Sequence, residues 1–290
     1  MNSIKMATAG MAVSMALLAA GVAAPAQAQA QERPPAQSVL DSSLVVNVGS
    51  FILNTDLTGR LDGSSTTNPD VDFDRAFGRD NDATRIRADL LWRITPRQHL
   101  RVLYFDNHRT ASRVIDRPIE WGDYSFTVGG NVNADTKFRI GEVAYEYAFK
   151  HEPTYELAAS VGVHYAGLKV TLSGAATVTD ANGTATELPA AIVTKNVPAP
   201  LPVVGLRGGW AVSPHWYLDA QAQYFSMKMN GYDGYVSDLR AGASWMYSRH
   251  VGIGLGYNRF VTNIDVSRDN FDGRLRFGYS GLLLYLTGAF

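Results

Sequence analysis

From Arg85 to Ile94, apolar Ile86, Ala88, Leu90, Trp92 and Ile94 take every second position, with Arg85, Arg87, Asp89 and Arg93 among the residues between them. That period of two is a strand with one apolar and one charged face. At 3.6 residues per turn the same charges would scatter around a helix axis. The pattern recurs along the chain. Tyr155, Leu157, Ala159, Val161, Val163 and Tyr165 oppose Glu156, Ser160, Gly162 and His164; Val143, Tyr145, Tyr147 and Phe149 oppose Glu142, Ala144 and Glu146. Leu218, Ala220, Ala222 and Tyr224 oppose Asp219, Gln221 and Gln223; Leu239, Ala241, Ala243, Trp245 and Tyr247 oppose Asp238, Arg240 and Ser244. Ten strands are predicted: 43–55, 84–94, 99–110, 137–149, 154–171, 202–212, 216–228, 235–247, 250–262 and 274–290. Eight follow if the third and fourth are misread.

Connections alternate in length. Tight turns fall at 95–97, 150–153, 213–215 and 248–250; longer polar linkers fall at 56–83, 111–135, 173–200, 229–234 and 263–272. Trp92, Phe149, Tyr155, Trp210, Trp245 and Tyr247 sit beside short turns, and Tyr165, Tyr224 and Tyr257 near the long linkers. Two belts of amphipathic rings about ten residues apart match the two interfaces of a bilayer crossed by tilted strands. The fold class predicted is therefore all-β, an antiparallel transmembrane β-barrel forming one domain over 43–290. A soluble secreted β-barrel that turns its Leu/Val/Trp face inward onto an apolar ligand has the same alternation.

The N-terminus narrows the compartment. Lys5, the apolar run Met11–Ala24 and the small-x-small sites Ala26-Gln27-Ala28 and Ala28-Gln29-Ala30 make residues 1–28 a secretory signal peptide. The run is too short to span a bilayer as a helix, and Pro25 ends it. Residues 29–42, rich in Gln, Pro and Ala, read as a flexible periplasmic segment. Of 290 residues none is Cys, which removes disulfides and thiolate metal sites. A net charge of −1 gives no basic field for nucleic acid.

The C-terminus, GLLLYLTGAF, carries a resemblance. Phe290 is a terminal aromatic, and Leu282, Leu284 and Leu286 alternate before it; Gly288 departs from the pattern. This ending is similar to the C-terminal signature of bacterial outer-membrane β-barrel proteins, and the layout resembles small barrels of the outer membrane protein W and outer membrane protein A kind. The resemblance implies a place in the bacterial outer membrane, contact with its lipid, and recognition of Leu282, Leu284, Leu286 and Phe290 by the barrel assembly machinery.

Candidate chemistry concentrates on the face opposite the apolar one. Arg85, Arg87, Asp89, Arg101, Glu142, Glu146, Glu156, His164, Arg207, Asp219, Asp238 and Arg240 would line a lumen. Both signs mix there. In a narrow barrel such groups pair into an interior network, or they set the field of a small, weakly selective pore for ions or solutes. His164 beside Glu142 or Glu156 could be drawn as an acid–base pair, and an outer-membrane hydrolase is the enzymatic alternative. No GxSxG, HExxH or phosphate-binding loop appears, so neither catalysis nor a cofactor is expected. Asp70, Asp72 and Asp74 alternate as Ca²⁺ loops do. Arg75 stands where the sharp-turn Gly belongs and Asn81 where the bidentate Glu belongs, which favours a solvated loop or strand extension. Gly252, Gly254 and Gly256 lie inside a strand and leave room for other side chains to fill the lumen.

Overall fold

The computed structural model describes residues 33–62, 67–78, 83–179, 184–229, 232–268 and 271–290. The signal-peptide assignment, with Asp80, Asn81 and Asp82, lies outside the described residues. In chain order the elements are α1 (Pro35–Asp41), β1 (Leu44–Leu61), β2 (Val71–Asp72), α2 (Phe73–Phe77), β3 (Ala83–Arg93), β4 (Gln98–Val114), β5 (Ile119–Trp121), β6 (Tyr124–Phe126), β7 (Asn131–Glu152), β8 (Tyr155–Thr179), β9 (Ala185–Ala211), β10 (Trp216–Met229), β11 (Tyr232–Met246), β12 (Val251–Arg268) and β13 (Phe271–Ala289).

Ten strands close a ring. β1 pairs with both β3 and β13, and antiparallel neighbours then run β3-β4-β7-β8-β9-β10-β11-β12-β13. Closure leaves no free edge where all ten strands run side by side, so every backbone group there has a partner. The short strands β2, β5 and β6 lie off the ring and pair at its long-hairpin end. The alternation read from the sequence is the wall itself. Leu282, Leu284, Leu286 and Phe290 point outward with half or more of their surface exposed, while Leu283 and Tyr285 are buried inside. On β12, Val251, Ile253, Leu255 and Tyr257 face out; Gly252, Gly254 and Asn258 face in.

Two expectations need correction. The segment 29–42 is not a flexible tail over its described part. Pro35–Asp41 forms α1, with Pro at the first turn, and buries Ala36, Val39 and Leu40 against Val45, Leu91, Tyr217, Met246 and Ala289. The apolar triplet Ala36/Val39/Leu40 at helical spacing drives this docking. The long linkers are also largely strand. β8 and β9 continue as a hairpin past residue 173, and β12 and β13 pair to Arg268 and Phe271. On the inward side Val170, Leu172, Ala176, Ala191 and Val193 stay buried; on the outward side polar Thr171, Ser173 and Thr194 replace apolar residues while the backbone ladder continues.

β9 shows how local chemistry shapes the ring. It pairs with β8 from Ala185 to Trp210, but with β10 only between Val204 and Ala211. Pro198, Pro200 and Pro202 stand at alternate positions just beyond Val204. Alternate residues direct their backbone groups to the same edge of a strand, so these three prolines remove the donors β10 would need. The ring therefore parts between β9 and β10 beyond Tyr224.

Candidate functional site

The interior is filled in layers. At the short-turn end, Glu146 and Glu156 enclose the Arg207 guanidinium: Arg207 Nε donates to Glu146 at 2.7 Å and Nη2 to Glu156 at 2.5 Å. Arg101 Nε donates to the other Glu146 oxygen at 2.7 Å. Arg93 lies 3.6 Å from Glu156 and donates to the Ser42 carbonyl at 2.9 Å, which ties this layer to the base of β1. His151 Nδ1 reaches Glu156 at 2.9 Å, and buried His99 lies between the two carboxylates.

A second layer stands above the first. Arg240 donates to Asp238 at 2.5 Å and to Glu142. Gln223 Nε2 donates to Glu142 at 2.7 Å, and its Oε1 meets His164 Nε2 at 2.9 Å. Arg87 bonds Asp89 at 3.0 Å and Asn258 at 2.6 Å; Asn258 passes the chain to Asp238 at 2.5 Å. Charges this deep cost several kcal/mol each to desolvate, and only such dense pairing offsets it.

An aromatic layer follows. Phe51, Phe105, Phe138, Phe260, Phe277 and Tyr279 are all buried. Phe105 meets Tyr279 edge-on at 5.1 Å, Phe260 stacks on Tyr279 at 5.2 Å, and Phe51 meets Phe105 at 5.8 Å. The layers are joined where Arg87 lies 5.5 Å from the Phe51 ring centre and Tyr279 donates to Asn258 at 3.2 Å. Gly254 makes room lower down: a Cβ there would fall inside the Tyr285 ring.

No protein-family model and no curated protein matches the chain. Among solved structures, the outer membrane protease OmpT of Escherichia coli aligns at a TM-score of 0.56 with 13% identity, over 85% of this chain and 96% of that one. The chain has the fold of an outer-membrane β-barrel protein. The toluene transporter TodX of Pseudomonas putida aligns at 0.35 with 8% identity, over 89% of this chain and 92% of that one. Ail, the attachment invasion locus protein of Yersinia pestis, aligns at 0.30 with 9% identity, over 83% and 97%. At 13% identity the OmpT alignment speaks to fold alone.

Both mouths of the barrel are capped. α1 covers the short-turn mouth, where Ser38 Oγ donates to the Arg249 carbonyl at 2.5 Å and the Ala36 N–H to the Pro214 carbonyl at 2.9 Å. α2 covers the other. Phe73 packs edge-on against Trp121 at 5.4 Å, and Gly59 leaves room for both rings over β1. Asp74 accepts the Leu57 N–H at 3.0 Å and pairs with Arg109 at 3.2 Å; burial nevertheless pushes its carboxyl above the ordinary value of 3.8. The void beneath α2 measures about 30 Å³, room for a water or two.

The alternating carboxylates of this cap have structural work. Asp70 pairs with Arg274 at 3.7 Å, Asp72 caps α2 through the Arg75 N–H at 2.9 Å, and Asp74 is held as described. They converge on no common point. Ligand atoms of Glu142, His164 and Asp238 do lie within 4.8 Å of one another. The Arg240 guanidinium already occupies both carboxylates, so a cation would have to displace it.

Of the predicted lumen residues, Arg101, Glu146, Glu156 and Arg207 meet in the first layer; Arg87, Asp89, Glu142, His164, Asp238 and Arg240 meet in the second. Arg85 stands apart nearer the outer end, on Asn107 at 2.6 Å. Asp219 faces inward beside Gly242 and joins neither layer. The aromatic layer and the network roles of His99, Gln223 and Asn258 were not singled out from sequence. Strand parity could have found the rings, because Phe260 and Tyr279 fall on the inward count of β12 and β13. A His108–Asp135 pair at 2.8 Å, exposed above the outer belt, also went unpredicted; its partners come from strands β4 and β7, far apart in sequence.

Proposed function

We propose that this protein is an integral outer-membrane barrel of a Gram-negative-type envelope, closed to solutes, acting as a structural and surface-exposed component. One observation carries the reading: two ion-paired layers, an aromatic layer and a cap at each mouth occupy the path a solute would take. A pore needs continuous water, and buried guanidiniums bridged to carboxylates at 2.5–2.7 Å leave none between them. The outward apolar band and the aromatic belts support contact with bilayer lipid. The exposed Leu282, Leu284, Leu286 and Phe290 are accessible to an assembly factor. Catalysis is not part of this reading. Among the described residues, the exposed His108–Asp135 pair has Thr110 bonded to the carboxylate at 3.5 Å and no nucleophile bonded to the imidazole.

The test is conductance of the refolded barrel, residues 29–290, in a planar bilayer. Insertion without current steps is expected. Reproducible steps would show that the layers part in the membrane, and a small passive channel would replace the closed barrel.

A further inference from the structure

The outer wall holds a feature that the filled lumen does not explain. On β12 the outward residues run Val251, Ile253, Leu255, Tyr257 and then Arg259; on β13 they run Phe290, Leu286, Leu284, Leu282, then Ser280, Gly278 and Arg276. The register sets Tyr257 beside Leu282, Arg259 beside Ser280, and Asn263 beside Arg276. β1 continues the row with Ile52, Asn54 and Asp56 opposite Leu282, Ser280 and Gly278. Counted from the short-turn end, Arg259 is the ninth residue of its crossing. Both arginines thus stand at and just above the outer boundary of the apolar band.

Across this wall runs a groove of about 1130 Å³, whose lining includes Asn54, Asp56, Arg259, Asn263, Arg276 and Ser280. It lies on the outside, because most of its lining falls on the outward count of β1, β12 and β13; the inward Phe260, Phe277 and Tyr279 border it between them. Nearby Arg274 is spent on Asp265 and Asp70. Arg259 and Arg276 are not: among the described residues neither makes an ion pair or hydrogen bond. Asp56 is the single carboxylate of the lining, so the groove keeps one net positive charge. Asn263 Oδ1 is shielded from water yet accepts no hydrogen bond.

We propose that this groove binds the headgroup of a phosphorylated, acylated sugar lipid of the outer leaflet. The inference rests on the membrane reading given above. Guanidiniums match phosphate oxygens in charge and geometry. The exposed Asp56 carboxylate calls for donors, which sugar hydroxyls supply and a bare phosphate diester lacks. Acyl chains below the headgroup would lie along Ile52, Leu282, Leu255 and the Tyr257 ring, continuous with the groove. Lys137, Arg139 and Lys169 form another outward basic cluster on β7 and β8. They provide the control for a merely diffuse field.

The experiment titrates the refolded barrel in neutral detergent with a bisphosphorylated, acylated glucosamine disaccharide and reads bound lipid by native mass spectrometry. Arg259→Gln and Arg276→Gln should each weaken retention by about tenfold, the scale of one charge-assisted contact. Lys137→Gln/Lys169→Gln should change it less than twofold. The dephosphorylated disaccharide should bind poorly, and equimolar inorganic phosphate should not compete. Equal losses from both basic clusters would overturn the site in favour of a diffuse field. Full competition by phosphate would overturn the lipid assignment. Protease protection in vesicles is read in parallel: a barrel that inserts normally but ignores the lipid sinks this inference alone, whereas failure to insert sinks the membrane reading too. If one variant misfolds, the other and the phosphate arm still decide.

Discussion

At the scale of single residues, the interior charges are hostages to one another. Arg207 is the bridge of its layer, and Arg207→Ala would leave Glu146 and Glu156 facing each other across an emptied centre. Breaking a buried pair in this way costs about 3–5 kcal/mol, far above the typical surface mutation. Urea unfolding of the refolded barrel should show that loss, and an unchanged midpoint would mean that water already screens the layer. Asp74 gives a prediction of opposite character. Burial raises its carboxyl in the folded cap above 3.8, despite the Leu57 N–H and Arg109. The folded form therefore holds its proton more tightly than the unfolded chain. That contribution to the cap is complete in acid below the ordinary carboxyl value and fades as pH rises through the folded one. Asp74→Asn stands in for the protonated group. Hydrogen exchange at the Leu57 amide should slow on acidification in the wild type, beyond the intrinsic rate change, and lose that extra dependence in the variant.

Elements show where sequence pattern suffices and where it does not. All ten wall strands were legible, because an apolar outer face and a packed lumen impose period two on every crossing. Their outer extensions were not: Val170, Leu172 and Val193 stay buried inside, but polar Thr171 and Thr194 stand on the outward face, so the apolar outer half of the pattern is lost. The helix α1 was hidden for another reason. Seven residues are too few for a convincing periodicity, and its stability comes from docking onto Val45, Leu91 and Met246 rather than from propensity. The lumen residues were legible as a set but not as two layers, since the layering depends on strand register. The seam beside β9 makes a specific prediction. Replacing Pro198, Pro200 and Pro202 with Thr restores three donors on the edge facing β10. Continuing the register from Val204↔Tyr224, the three new partners would be Ser226, Lys228 and residue 230. Amide protection over 225–228 should rise in the triple variant, whereas unchanged exchange would mean that twist, not proline, parts the strands.

For the whole molecule the question is which layer keeps the barrel shut. α2 is held by Phe73 and Phe77, by Asp74 on Leu57 and Arg109, and by the Trp121 ring. It is conspicuous as a lid, yet it lies above Phe138 and Phe277, which touch with ring centres 3.7 Å apart. Beneath them come Tyr279, Asn258, Arg87 and the rest of the charged layers. Removing the cap opens only a vestibule that ends on an aromatic floor. Deleting residues 67–78 and joining the ends with a short Gly/Ser linker should therefore cost stability, since Phe73 and Phe77 lose their burial at about 1.5–3 kcal/mol each. The deletion should still leave the inserted barrel without current. A cap-deleted barrel that conducts in steps would mean that the aromatic floor opens once its cover is gone. Closure would then belong to the lid alone, and the charged layers below it would be the lining of a gated pore.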